Sequence, residues 1–225
     1  MDNSLIKFSQ RKIKKSYRSI TGHFPSIKNN TSIGFESKLE KAHFLVLEFD
    51  NEVVSYQEQP QIEIFVNGKK QIYSADCYIK RSNNSNKKDS IVEVKYTNEI
   101  EKRKDYFEKK FEATTISANK LNLDFEVYTE KIHSEIYLDN LDFLYRYKLQ
   151  PIENKYEEQV LEMVNKNNKN NKISAFNLAN LISENPIEYG LISNCIWDLV
   201  CKEKLKTNLE LSKITMNSLV ELSYE

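Results

Sequence analysis

The dipeptide Asn67-Gly68 stands between two strand-like apolar runs, IEIFV (62–66) and QIYSADCYI (71–79). Asn and Gly tolerate the positive φ that a two-residue β-turn requires, so the pair predicts a tight antiparallel hairpin. Further runs of strand type flank it: VVSY (53–56) before, SIVEVKY (90–96) and DFEVYT (124–129) after. The polar stretch RSNNSNKKD (81–89) is a loop between two of these strands. Two helical patterns complete the order. Residues 35–49 place Phe35, Leu39, Ala42, Val46 and Phe49 on one face, with Glu36, Glu40, His43 and Leu47 as a neighbouring stripe. Residues 99–121 gather Ile100, Phe107, Phe111, Ala118 and Leu121 on roughly one side. Helix, strands, helix, strand predicts a mixed α/β sheet flanked by helices.

The texture changes after Pro151. Residues 154–165, 174–183 and 187–201 carry helical patterns, with Ser174 as N-cap of the second and Pro186 near the start of the third. KLKTNLELSKIT (204–215) could form a small hairpin. Three helices and a hairpin fit a small, mostly α, winged-helix-like domain, and equally a plain helical bundle. The expected organisation is an N-terminal arm (1–31), a main α/β domain (32–150) and this C-terminal domain (151–225).

Equal totals of acidic and basic residues hide a polarity. Residues 1–31 hold Lys7, Arg11, Lys12, Lys14, Lys15, Arg18 and Lys28 against Asp2 alone, whereas residues 151–225 hold 8 basic and 11 acidic groups. A basic arm on a neutral body suits an anionic partner such as nucleic acid, and makes Arg11, Lys12, Lys14, Lys15, Arg18 and Lys28 candidates for phosphate contact. Cys77, Cys195 and Cys201 have apolar neighbours and no C-x-x-C pair, which argues against a disulfide scaffold or a zinc site. No apolar run approaches the roughly 18 residues of a membrane span and no signal-like segment is read, so the expected location is a reducing cytoplasm.

Charges inside the strand runs carry the chemistry. Alternation puts Glu93 and Lys95 on one face of 90–96, about 7 Å apart along the strand. Asp76 faces away from Tyr73, Ala75, Cys77 and Ile79 in the run 71–79, and pairing of the two strands would set it beside Glu93. Two carboxylates suit a hard divalent cation, which activates water and offsets charge on phosphoryl oxygens. A lysine beside them can stabilise charge growing on phosphate or orient the attacking water. The set reads as one for phosphodiester hydrolysis. Glu40 is the candidate further carboxylate; its rival reading is the S-x-x-E capping box of Ser37-Lys38-Leu39-Glu40. The apolar stripe begins before Ser37, which places Glu40 inside the helix. His43, one turn on, reads as a core or supporting histidine.

A Glu-bearing helix, an Asp-bearing strand after a hairpin, an E-x-K strand, a helix and a strand follow in the order of the PD-(D/E)xK nuclease fold. Ala75 stands where the motif has its proline. The chain also resembles the TnsA-type endonuclease subunit of heteromeric transposases. The resemblance runs through RSITGHFPSIKNNTSIGFESKLEKAHFLVLEFDNEVVSYQEQP, then YSADCYI and IVEVKY, and the F-E-S-x-L-E and Y-x-E-Q-P blocks are its distinctive parts. It implies Glu40, Asp76, Glu93 and Lys95 as the catalytic set, the three carboxylates holding magnesium, with manganese as a substitute. Gln59, in QEQP, falls where a strand could bring it near them. The resemblance further implies cleavage of the non-transferred strand at transposon ends, beside a DDE-type transposase and under an AAA+ ATPase bound through the C-terminal domain. The alternatives are a stand-alone restriction or repair nuclease, and a non-catalytic assembly module that kept the fold.

Overall fold

The computed structural model describes residues 6–8, 20–149, 155–167 and 172–223. The chain divides into two compact units between His133 and Ser134. The expected boundary at Pro151 lies further along the chain, beyond a helix that belongs to the second unit.

The first unit opens with β1 (Lys7–Phe8), β2 (Gly22–Ser26) and β3 (Thr31–Phe35), then α1 (Lys38–Phe49). β4 (Val53–Glu58), β5 (Pro60–Val66), β6 (Lys69–Ser74), β7 (Cys77–Arg81) and β8 (Ser90–Val94) follow, then α2 (Thr97–Lys102), α3 (Lys104–Lys120) and β9 (Asp124–Tyr128). β4, β7, β8 and β9 form a sheet in that order, antiparallel except for the β8–β9 pair, which α2 and α3 connect as a parallel crossover. β1, β5 and β6 form a second sheet, and β2 pairs with β3. The first described residues are therefore not a free arm: Lys7 pairs with Gln61, and Gly22 with Phe35.

The β5–β6 hairpin turns at Asn67 (φ 51°) and Gly68 (φ 74°), the two positive angles the dipeptide predicts. The expected single strand 71–79 is instead two, because the chain bends at Ala75–Asp76 and passes from one sheet to the other. The expected helix 99–121 is likewise two, broken at Arg103.

α1 differs from expectation in start and face. It begins at Lys38, and Phe35 ends β3. Its buried residues include Leu39, His43, Phe44, Leu47 and Glu48, so the stripe beside Glu40 faces inward while Ala42, Val46 and Phe49 are half-buried. The cause is two-sided packing: α1 meets β4 and β8 on one flank and the β2–β3 hairpin on another. Phe44 stacks on Tyr56 at 5.4 Å. Buried Glu48 accepts from the hydroxyls of Ser26 (2.6 Å) and Tyr56 (2.7 Å), joining helix, hairpin and β4. α3 covers β5 and β9, where Ile62, Ile64, Tyr73, Ile91, Ala118 and Leu123 form one apolar cluster.

The second unit contains α4 (Glu135–Leu149), α5 (Glu157–Lys166), β10 (Ile173–Ser174), α6 (Ala175–Ile182), α7 (Pro186–Cys201), β11 (Leu205–Lys206) and β12 (Leu219–Leu222). Ser174 caps α6, and Pro186 opens α7 behind the Asn185 cap. The expected hairpin over 204–215 is absent among the described residues: β11 pairs with β12 instead, in the antiparallel order β10-β12-β11. Asn140 of α4 explains how the intervening loop is held. Its amide donates to the carbonyls of Leu209 (2.9 Å) and Ser212 (2.8 Å) and its Oδ1 accepts from Ile214 N–H. Ile192, Ile196 and Leu199 bury the inner face of α7. Among the described residues no helix is long and apolar enough to cross a membrane.

Candidate active site

The bend between β6 and β7 places Asp76 beside the end of β8. Its N–H donates to the Val92 carbonyl (3.0 Å) and its Oδ2 accepts from the Val94 N–H (2.7 Å). Its carbonyl accepts from the Gln59 N–H (3.1 Å), while Ala75 N–H reaches the Pro60 carbonyl (3.0 Å). Gln59 thus supports Asp76 through the backbone, from a left-handed conformation (φ 54°) that lets the chain turn from β4 into β5.

Glu93 is only 5% exposed, so the β8 face that carries it is not a solvated one. Its Oε1 lies 3.3 Å from Lys95 Nζ and its Oε2 accepts the Tyr73 hydroxyl. Lys95 follows β8, held by its N–H to the Tyr128 carbonyl (2.9 Å). Glu40 is the third residue of α1. Ser37 caps that helix by accepting from the Glu40 N–H (3.0 Å), and the Glu40 carboxylate accepts from the Ser37 hydroxyl and the Glu36 N–H, both at 2.9 Å. The capping interaction weighed against a site role for Glu40 is therefore real, and it does not remove Glu40 from the electrostatics of Asp76.

Those electrostatics tie the four residues together. Burial pushes the Asp76 carboxyl up to about 7, assisted by the nearby charges of Glu93 and Glu40 and opposed by the Val94 N–H and Lys95. Burial also raises Glu40, against the Glu36 and Ser37 hydrogen bonds. Burial disfavours the Lys95 cation, yet Glu93 and Asp76 outweigh it and hold the ammonium above the ordinary lysine value. Tyr73 is raised by burial and then by Glu93, so its phenol stays a donor.

Among the described residues no three His, Cys, Asp or Glu side chains converge as the ligands of a metal ion do. The donor chemistry nevertheless fits a hard divalent cation. Glu93 lies against Lys95 and Asp76 is held beside the same strand end, and carboxylate oxygens are the ligands such a cation takes.

The other candidates are placed differently. His43 is buried with its ring 4.5 Å from Tyr128, has no hydrogen-bond partner at either nitrogen among the described residues, and is pushed down to about 3 by burial, so it is a neutral core residue. Lys28 commits its ammonium to the carbonyls of Asp50 and Val53, tying the β2–β3 turn to the end of α1, instead of presenting it to a phosphate. Arg11, Lys12, Lys14, Lys15 and Arg18 lie outside the described residues. Tyr73 is the site residue that sequence reasoning missed. Alternation counted through the bend assigned it to the face opposite Asp76.

Residues 50–130 match the family model of the TnsA-like endonuclease N-terminal domain. That span holds Gln59, Tyr73, Asp76, Glu93 and Lys95, and leaves Glu40 outside. Over that part of the chain the match supports a TnsA-like nuclease. No curated protein matches the chain.

Proposed function

We propose that this protein is a metal-dependent DNA endonuclease subunit of a transposase, cutting the non-transferred strand at transposon ends. The observation that carries the reading is the Asp76–Glu93–Lys95 cluster at the junction of two sheets, inside the segment that matches a TnsA-like endonuclease. Magnesium, or manganese in its place, held by Asp76 and Glu93 with Glu40 beside them, would activate water and offset charge on the leaving oxygen. Lys95, protonated and next to Glu93, is the group to meet the non-bridging oxygens of the scissile phosphate or to orient the water. Val94 N–H and the Tyr73 hydroxyl orient Asp76 and Glu93 before substrate arrives.

Cutting at specific ends requires a partner that knows them, which the reading assigns to a DDE-type transposase subunit. The second unit is read as a winged-helix-like domain. Its support is the succession from α5 to β12, helix, strand, helix, helix, strand, strand, with the sheet order β10-β12-β11. The acidic excess of its sequence favours a protein partner there, the AAA+ regulator, over a DNA groove.

The test is end cleavage reconstituted with the partner transposase. Asp76→Ala and Lys95→Ala are each expected to abolish cutting of the non-transferred strand while joining of the other strand persists. Intact cutting by either variant would overturn the assignment, and cleavage of plain duplex by the purified chain alone would favour a stand-alone nuclease.

A further inference from the structure

Beside the site, the start of α3 and its cap residue Arg103 carry a ladder of cations and rings. The Arg103 guanidinium lies 4.2 Å from the centroid of the Tyr106 ring and 5.6 Å from that of Phe107. The Lys110 ammonium lies 5.6 Å from the Tyr106 ring and 4.6 Å from the Tyr73 ring. Tyr73 in turn donates its hydroxyl to Glu93. Arg103 is the cap residue before α3, Tyr106 lies in the first turn and Lys110 one turn further, so the ladder runs from the start of α3 and ends one side chain from the carboxylates.

Two features separate this ladder from an ordinary charged surface. Among the described residues neither Arg103 nor Lys110 has a carboxylate partner, although the same helix pairs Lys104 with Glu108 at 3.6 Å. Their positive charge is thus left for an outside anion. Both are also held against aromatic faces, which lowers the entropy lost when they bind. A guanidinium stacked by its face keeps its in-plane N–H donors at the edge, the geometry that takes a phosphate in bidentate fashion. Tyr106 is 47% exposed and offers a ring at the surface between the two cations.

We propose that Arg103, Tyr106 and Lys110 form a binding track for the DNA backbone, seating phosphates next to the one to be cut. Lys110 lies roughly 10 Å along α3 from the cap residue Arg103. Arg103 and Lys110 each take a phosphate, and Tyr106 keeps both cations in place. The inference rests on the nuclease reading and adds the surface by which that site holds its substrate.

The test uses the full chain, a DNA duplex and a chelator, with affinity followed by fluorescence anisotropy across a salt series. Arg103→Gln combined with Lys110→Gln keeps side-chain length and helix propensity. The slope of log affinity against log salt is expected to fall by about 1.8, at about 0.9 per phosphate contact. Between roughly 50 and 200 mM salt, wild type then loses about 12-fold more affinity than the double variant. Should the double variant melt, either single variant is expected to lower the slope by about 0.9. Lys104→Gln, which removes an already paired charge, is expected to leave the slope unchanged. An unchanged slope in the Gln variants, or an equal fall in Lys104→Gln, overturns the track while wild-type binding leaves the nuclease reading standing. Absence of wild-type binding at every salt overturns both.

Discussion

Asp76→Asn is expected to make the first unit more stable and the enzyme inactive, with the gain in stability growing as pH rises. Asp76 moves from an ordinary 3.8 in the unfolded chain to about 7 in the fold, because burial and the charges of Glu93 and Glu40 resist its ionisation. An acid whose folded value is raised binds its proton more tightly in the native state. Native stability is therefore highest below the unfolded value and falls as pH climbs from 3.8 to about 7, beyond which the loss is complete. Each pH unit in that interval removes about 1.36 kcal/mol, so the full penalty is about 4 kcal/mol. At pH 5 less than half of that loss has appeared. Asparagine is neutral at every pH and keeps an oxygen to accept the Val94 N–H, so it escapes the penalty without losing the bond. At about 3 °C per kcal/mol for a chain of this size, the variant should melt about 12 °C higher at pH 8 and about 5 °C higher at pH 5. The assay is thermal unfolding by circular dichroism in chelator at the two pH values. Magnesium added at pH 8 should raise the melting temperature of wild type and leave the variant unmoved. A variant no more stable than wild type at pH 8, or a gain equal at both pH values, would refute the reasoning.

Two further substitutions separate positioning from chemistry. Tyr73→Phe deletes the hydroxyl that holds Glu93 and keeps the ring under Lys110; the metal concentration for half-maximal cleavage should rise by about 10-fold or more, and an unchanged metal requirement would mean that the bond to Glu93 has no part in the site. Ser37→Ala should cost about 1 kcal/mol through loss of the α1 cap, whereas Glu40→Gln should lose cleavage with a smaller change in thermal stability; the reverse ordering would make Glu40 a capping residue only.

What was legible in the sequence was local. Asn67-Gly68, Ser174 and Pro186 each act through their own backbone angles or side-chain caps, and each sits where that chemistry requires. The pairing of Glu93 with Lys95 was also legible, since alternate positions on a strand share a face. What escaped was non-local. Period-two patterning cannot distinguish one strand from two that meet at a bend, so Tyr73 was assigned to the wrong side of Asp76. The α1 face was misjudged for a similar reason. Its apolar spacing fits more than one stripe, and the choice is made by the β2–β3 hairpin, which lies against a flank that isolated periodicity treats as solvent. That hairpin left its own trace: Asn29-Asn30, with Asn30 at φ 50°, is a turn signal of the same kind as Asn67-Gly68.

The bend itself explains why the Asp76–Glu93–Lys95 cluster sits where it does. β4 passes into β5 at Gln59 and β6 into β7 at Asp76, and the two crossings are bonded to each other through Gln59 N–H and the Asp76 carbonyl. Both strands of one long ribbon therefore change sheets at the same level. Ala75, bonded to Pro60 of the β1-β5-β6 sheet, is no longer available to continue the β7–β8 ladder beyond Cys77–Val92. The Val94 N–H would be left without a partner in a buried strand, and the Asp76 carboxylate fills the vacant rung. An aspartate in a regular strand would project from the sheet at right angles and be free to turn. At this crossing its orientation is set by a backbone donor that needs it, and on the same strand the alternation that fixes Val94 fixes Glu93 and Lys95 on either side. The precision of the cluster is thus a consequence of how the two sheets join, and the raised proton affinity of Asp76 follows from the same burial.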